Sequence, residues 1–350
     1  MQFGVYSFGD ITRDPVTGDH LSPAERLAEV LSQAKLADES GLDVFAAGEH
    51  HRLDFTVSAT TVVLSAIAAQ TRRLKLGSAV TILGTSDPVR GFEDYATLDL
   101  ISGGRAEIVA GRGVYTESFP LFGYSTDDQD ALFAEHLELL MRLNAEPRVT
   151  WSGKHRAPLN DAEIAPRPER PIPIWIGTGG TPESAKRAGR LGLPLSLGNI
   201  TLPPEKLAPA IAAYREAGTA AGHAAKLQVG VAKHLYLARD SQTARDEFFP
   251  RYAGYLRSHS TSQYNRIEVT REVFEERAAP GGGALCRQPA GDHRQDRARA
   301  RNLRPRPAAR ADRHRWLAVR QARGCHRPLC QRGRAEIPLT SGFREAESDS

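Results

Sequence analysis

LKLGSAVTILGTSDPVRGFEDYATLDLISGGRAEIVAGRG, residues 74–113, contains a strand, a helix and a strand in succession, with glycine or polar residues where each strand ends. Its first run, 74–83, is apolar and β-branched, the composition of a strand covered on both faces, and it stops at Gly84-Thr85. Asp87 is placed to cap a helix and Pro88 suits its first turn. Val89, Phe92, Ala96 and Leu100 then recur at helical spacing until Ser102-Gly103-Gly104 ends the pattern. The second strand, 106–110, runs into Gly111-Arg112-Gly113. A parallel βαβ unit with a cationic, glycine-lined exit is suited to building a site, because ligands of such folds sit at the carboxyl ends of the strands.

The same alternation extends in both directions. Strand patterns at 3–8, 42–47, 172–176, 194–197 and 228–238 each precede a helical pattern, at 23–39, 58–70, 181–191, 203–222 and 241–257, and a further helix is expected at 127–144. Seven βα units in 350 residues require a parallel sheet and fit an eight-stranded barrel, which needs about 250 residues, better than an open sheet. Residues 148–171 form an excursion of turn residues with room for one short hairpin, and the loop 10–20 after the first strand is expected at the mouth.

Composition changes abruptly near residue 284. Residues 1–283 hold 30 Lys+Arg against 35 Asp+Glu, whereas 284–350 hold 16 against 7, so the net charge of +4 arises in the tail and does not point the folded part toward nucleic acid. Residues 287–336 carry fifteen arginines, no lysine and no apolar periodicity, the bias of GC-rich DNA read out of frame. Cys325 to Glu336 can be back-translated so that, one base later, it reads as an amphipathic helix ending in proline. The expectation is a frameshift near codons 283–286, with the last strand and helix of the barrel lost and the seam between strands seven and one left open. Rival readings are a disordered Arg-rich arm and a metal site from His314, Cys325, His326 and Cys330. Cys286, Cys325 and Cys330 are too few for a disulfide framework. With no apolar run near the roughly 18 residues of a membrane span and no leader pattern, the chain is expected in the cytoplasm.

Residues 74–113 resemble the bacterial luciferase-like flavin-dependent monooxygenases through Gly77-Ser78-Ala79-Val80, Asp87-Pro88-Val89-Arg90 and Ser102-Gly103-Gly104-Arg105, and Glu49-His50-His51 is similar to that family's acid-His-His corner. The motif resemblance runs to about residue 283, which divides the chain into a luciferase-like barrel, 1–283, and an Arg-rich tail, 284–350. It implies a (β/α)8 barrel of the TIM type and a cis peptide at Ala79-Val80 beneath a flavin ring. It also implies reduced, noncovalent FMN that reacts with O2 to oxidise a small organic substrate. A deazaflavin-dependent dehydrogenase of the same superfamily, or a flavin binder without turnover, are the alternatives. Where the luciferases carry a cysteine before the fourth-strand arginine, this chain has Gly111.

On that resemblance His50 is the catalytic residue, a base or hydrogen-bond donor beside the flavin, with Glu49 and His51 orienting it. Glu49, Ala79, Val80, Thr81, Gly111, Arg112, Gly113 and Ser118 are expected around the cofactor. The turn Gly177-Thr178-Gly179-Gly180-Thr181, with Ser184, suits its phosphate, since glycines clear the backbone amides and a helix begins there. Arg112 supplies the countercharge. Tyr115 to Phe119 follow Gly113 toward the pocket, and Phe119 and Phe122 divide evenly between packing and substrate contact. No metal is expected, because adjacent histidines on a strand do not readily ligate one ion. Without a Rossmann fingerprint, reduced flavin comes from a separate reductase, and the resemblance implies a homodimer.

Overall fold

The computed structural model describes residues 1–198, 200, 202–259, 269–279, 284–287 and 315–321. In chain order the first elements are β1 (Gln2–Ser7), α1 (Pro23–Glu39), β2 (Val44–Ala47), α2 (Thr60–Gln70), β3 (Lys75–Ser78), β4 (Thr81–Ile82), α3 (Pro88–Ser102) and β5 (Ala106–Gly111). There follow α4 (Ser118–Leu121), α5 (Gln129–Ala145), β6 (Arg148–Trp151), β7 (Leu159–Glu163), β8 (Ile174–Thr178), α6 (Pro182–Arg190), β9 (Leu195–Leu197) and α7 (Pro204–Ala220). The last are β10 (Val229–Leu237), α8 (Ser241–His259), α9 (Arg271–Ala278), β11 (Ala284–Arg287) and β12 (Arg315–Gln321). The apolar run 74–83 is therefore two strands rather than one, parted at Ala79-Val80, where the peptide bond is cis.

Parallel pairings join β1 to β2, β2 to β3, β3 to β5, β5 to β8, β8 to β9 and β9 to β10, with β4 continuing alongside β5. The expected open seam is corrected: β12 lies between β10 and β1, with Trp316 opposite both Gly230 and Gln2. Ladder bonds use backbone groups common to every residue except proline, and 315–321 contains no proline, so this stretch can complete the ring whatever its side chains. β11 adds to the end of β10, opposite His234–Leu237. Two segments of 284–350 thus belong to the sheet. The expected loss of the closing helix, and the set His314, Cys325, His326 and Cys330, concern residues outside those described. β6 and β7 form the antiparallel hairpin foreseen in the excursion.

The principal core lies between the outer face of the barrel and its helices, where Phe45, Leu76, Ile108 and Ile174 of the strands meet Leu64, Phe92, Leu140 and Tyr214 of the helices. Each large apolar side chain withdrawn from water there contributes roughly 1.5–3 kcal/mol. Two smaller clusters, Val44, Val109 and Trp175, and Tyr6, Ala46 and Ala232, occupy the barrel interior.

Local chemistry explains the bounds of α3. Asp87 accepts from Val89 N–H at 2.9 Å and Arg90 N–H at 3.1 Å, capping the first turn, and Gly103 (φ 69°) and Gly104 (φ 83°) turn the chain left-handed after the last. Arg105 then donates to the carbonyls of Ser102, Leu74, Ala68 and Thr71 and to Thr71 Oγ1, at 2.7–3.1 Å, joining the ends of α2 and α3 to β5. α5 reaches the strand exits through His136, whose Nδ1–H donates to Leu83 O at 2.8 Å while its Nε2 has no hydrogen-bond partner among the described residues. Burial holds its pKa below the ordinary histidine value, so the imidazole is neutral.

Arg105→Lys should cost roughly 3 kcal/mol in urea unfolding, since a lysine cannot meet that many acceptors; equal midpoints would refute the clamp. Because the folded-state pKa of His136 is depressed, stability is full above about pH 6.5 and declines as pH falls below it, where only the unfolded chain takes up the proton. His136→Asn should flatten that decline in melting curves taken from pH 7 to pH 5.

Candidate active site

The strands deliver small residues to one end of the barrel. Gly111 closes β5 and Gly177 lies near the end of β8, its neighbour in the ring, and Val80 from the turn between β3 and β4 stands between them. A Cβ at position 111 would come within 2.6 Å of Val80 Cγ2, and one at 177 would also overlap Val80. Val80 thus fills the space a side chain at position 111 would need. Gly48 is under the same constraint, because its Cβ would strike the Phe8 ring.

His50 occupies an aromatic box, its ring centroid 4.9 Å from Phe8, 4.1 Å from Phe55 and 5.3 Å from Tyr115. Arg52 covers the Tyr115 ring at 4.8 Å and is anchored by Asp54 at 2.9 and 3.0 Å. Burial, then the neighbouring Tyr255, pushes the Tyr115 phenol up, so it remains a neutral hydroxyl. His51 diverges from His50, as alternation along the strand exit requires, and packs on Phe122 at 5.0 Å. Its Nε2 lies 2.8 Å from Glu49 Oε1. Glu49 Oε2 accepts from Ile82 N–H at 3.0 Å, so the observed hydrogen bonds of this carboxylate go to His51 and Ile82 rather than to His50.

Thr81 also faces the protein, its hydroxyl 2.7 Å from the phenol of buried Tyr95, whose pKa burial pushes up to about 12. Arg112 forms an ion pair with Asp130 of α5. Gly113 turns with φ 77°. Ser118 is buried, and its hydroxyl has no hydrogen-bond partner among the described residues. Phe119 is packing, fully buried beside Gly84, whereas Phe122 is half exposed on His51.

After β8, Gly180 (φ 106°) donates to Thr178 Oγ1 at 3.3 Å and α6 begins with Thr181 at its N-cap. The Thr181 hydroxyl donates to Ser184 Oγ at 2.9 Å and makes no cap bond, so the first-turn amides of α6 keep their free, positive end. The structure therefore brings Val80, Gly111 and Gly177 into contact and sets Arg112 and the 179–181 turn on adjacent strand exits. It keeps Glu49 and Thr81 engaged with protein groups. Sequence reasoning missed Phe8 and Tyr95. The period-two pattern Tyr6, Phe8 was the available signal for the first, while nothing local marks the second.

A cavity of about 220 Å³ lies beside this mouth, between the loop after β1, α1 and α8, with Asp10, Arg26, His234, Tyr252 and Tyr255 in its wall. No group of three or more metal-ligating side chains occurs among the described residues, and no helix among them is long and apolar enough to cross a membrane.

A family model described as luciferase-like monooxygenase matches residues 1–319, past the point at which the short motifs end. An F420-dependent glucose-6-phosphate dehydrogenase from Kineococcus radiotolerans is 33% identical over 182 residues, 47% of this chain and 52% of that protein. The alkanal monooxygenase alpha chain of Photorhabdus luminescens is 28% identical over 207 residues, 58% and 56% of the two chains. The crystal structure of the monooxygenase RslO1 from Streptomyces bottropensis superposes with a TM-score of 0.72 at 27% identity, covering 91% of this chain and 92% of that one. The chain spans about half the length of the curated relatives it matches. A parallel barrel whose glycine-edged strand exits surround a cis turn and a histidine corner, together with a family match across most of its length, places the chain in the luciferase-like monooxygenase family.

Proposed function

We propose that the protein is a flavin-dependent monooxygenase that uses reduced FMN and O2 to oxidise a small organic substrate. The observation that carries this reading is the pair of adjacent exits of β5 and β8, where glycines 111 and 177 leave Val80 as a floor beside the uncapped start of α6. A flat ring fits over such a floor and a phosphate fits the helix end. The unpartnered Ser118 hydroxyl, buried nearby in sequence after β5, is a further group that a polar ligand would satisfy.

On this reading Ala79 and Val80 lie under the ring, and Gly179, Gly180, Thr181 and Ser184 hold the phosphate. Arg112 exchanges Asp130 for it. Bound reduced flavin supplies the electrons that activate oxygen. The chain itself contributes position and dryness: Phe8, Phe55 and Tyr115 shield His50 from water, and the His50 ring nitrogen holds or moves a proton. Substrate reaches His50 from the side of the cavity, where Tyr255 adjoins Tyr115. A separate reductase supplies the reduced flavin, and the working form is a homodimer in the cytoplasm. The second reading, a deazaflavin-dependent dehydrogenase, draws on the similarity to the F420-dependent enzyme of Kineococcus.

Arg112→Ala should weaken FMN binding by about 10- to 100-fold and leave riboflavin unchanged, measured by quenching of flavin fluorescence; equal weakening of both sinks the phosphate assignment. Candidate substrates screened with reduced FMN should stimulate oxygen uptake, and His50→Ala should lower that rate by at least about 100-fold. Bleaching of a deazaflavin without oxygen would instead establish the dehydrogenase. Binding that His50→Ala leaves intact, with no turnover of any substrate by the unaltered protein, would mark a flavin binder.

A further inference from the structure

We propose that Glu49 is a positioning residue that latches the histidine corner to the floor of the site, rather than a ligand of the cofactor. The inference deepens the flavin reading above and rests on it. Glu49 is buried, and its two carboxylate oxygens are divided between two strand exits. Oε2 accepts the backbone N–H of Ile82 at 3.0 Å, two residues beyond Val80, and Oε1 meets His51 Nε2 at 2.8 Å. His51 in turn carries Phe122 at 5.0 Å, from the segment that follows β5. One side chain therefore joins β2, β4 and the segment after β5.

The geometry gives Glu49 a consequence for ligand binding that its own atoms do not make directly. Val80 stands against positions 111 and 177 with no spare room, so its height over the two glycines follows the backbone of Thr81 and Ile82. Hydrogen bonds to a charged acceptor are about twice as strong as neutral ones, and a buried amide left without a partner is costly. Thr81 is also held by Tyr95, and Leu83 by Gly111 O at 3.0 Å and by His136, so loss of Glu49 loosens the turn without releasing the strand. The effect belongs to the ring platform and not to the phosphate end.

The test compares Glu49→Ala and Glu49→Gln in the full chain, by hydrogen exchange of the peptide spanning 79–84 and by dissociation constants for FMN and for riboflavin. Glu49→Ala should accelerate exchange of the Ile82 amide at least tenfold and weaken FMN and riboflavin by the same factor, about tenfold. Glu49→Gln keeps an acceptor for Ile82 and a polar group for His51, and it should stay within threefold of wild type on each measure. Arg112→Ala supplies the contrast, because it acts on FMN alone. Unchanged exchange in Glu49→Ala overturns the latch. So does a glutamine variant that loses binding as fully as alanine while its exchange is unchanged, which would mean that the carboxylate touches the ligand. Wild-type protein that binds neither FMN nor riboflavin would refute the flavin reading and leave the exchange comparison to decide the latch by itself.

Discussion

The short strand at Thr81 and Ile82 is held from several sides, and the candidate site depends on that restraint. Tyr95 of α3 takes the Thr81 hydroxyl, Glu49 takes the Ile82 amide, Gly111 O takes the Leu83 amide and His136 of α5 gives its Nδ1–H to Leu83 O. A backbone that has just passed through the turn at Val80 is thereby fixed relative to β2, β5 and two helices. Two of these groups are neutral near pH 7. Burial pushes the Tyr95 phenol up to about 12 and keeps His136 neutral. Since a carbonyl oxygen only accepts, the neutral imidazole must carry its hydrogen on Nδ1, which leaves the buried Nε2 lone pair without a hydrogen-bond donor among the described residues.

Volume restraint complements this hydrogen bonding. Val80 fills what side chains at 111 and 177 would occupy, so the residue types at three distant positions form one packing decision. The same restraint leaves no room for a side chain at position 111. Beyond this packed floor, Arg112 pairs with the exposed Asp130, and the start of α6 carries no side-chain cap.

Helix ends were legible because their chemistry is local. Ser22 and Glu25 form a capping box at α1, Asp87 caps α3 and Gly103 ends it, all within four residues of the boundary they determine. The βα alternation was legible from apolar runs. Partner choice was not. Glu49 and Ile82 lie 33 residues apart, Arg26 and Ser7 lie 19 apart, and Arg112 finds Asp130 across 18. A carboxylate or guanidinium accepts many partners equally well in a linear chain, and only closure of the barrel selects one.

The seam shows the same division most clearly. Composition and periodicity argued that nothing after residue 283 belonged to the barrel, yet Arg315–Gln321 pairs with both β10 and β1. Hydrophobic patterning reports side chains, whereas a ladder is built from amides and carbonyls that every residue except proline supplies. By itself the sequence determined the strand and helix alternation, the caps, the glycines at the strand exits and the histidine corner, because each is encoded by residue type at short range. Only the tertiary structure decided which oxygen Ile82 would meet, how Val80 would sit over two glycines and which segment would close the ring, because those outcomes depend on which distant surfaces are brought within bonding distance.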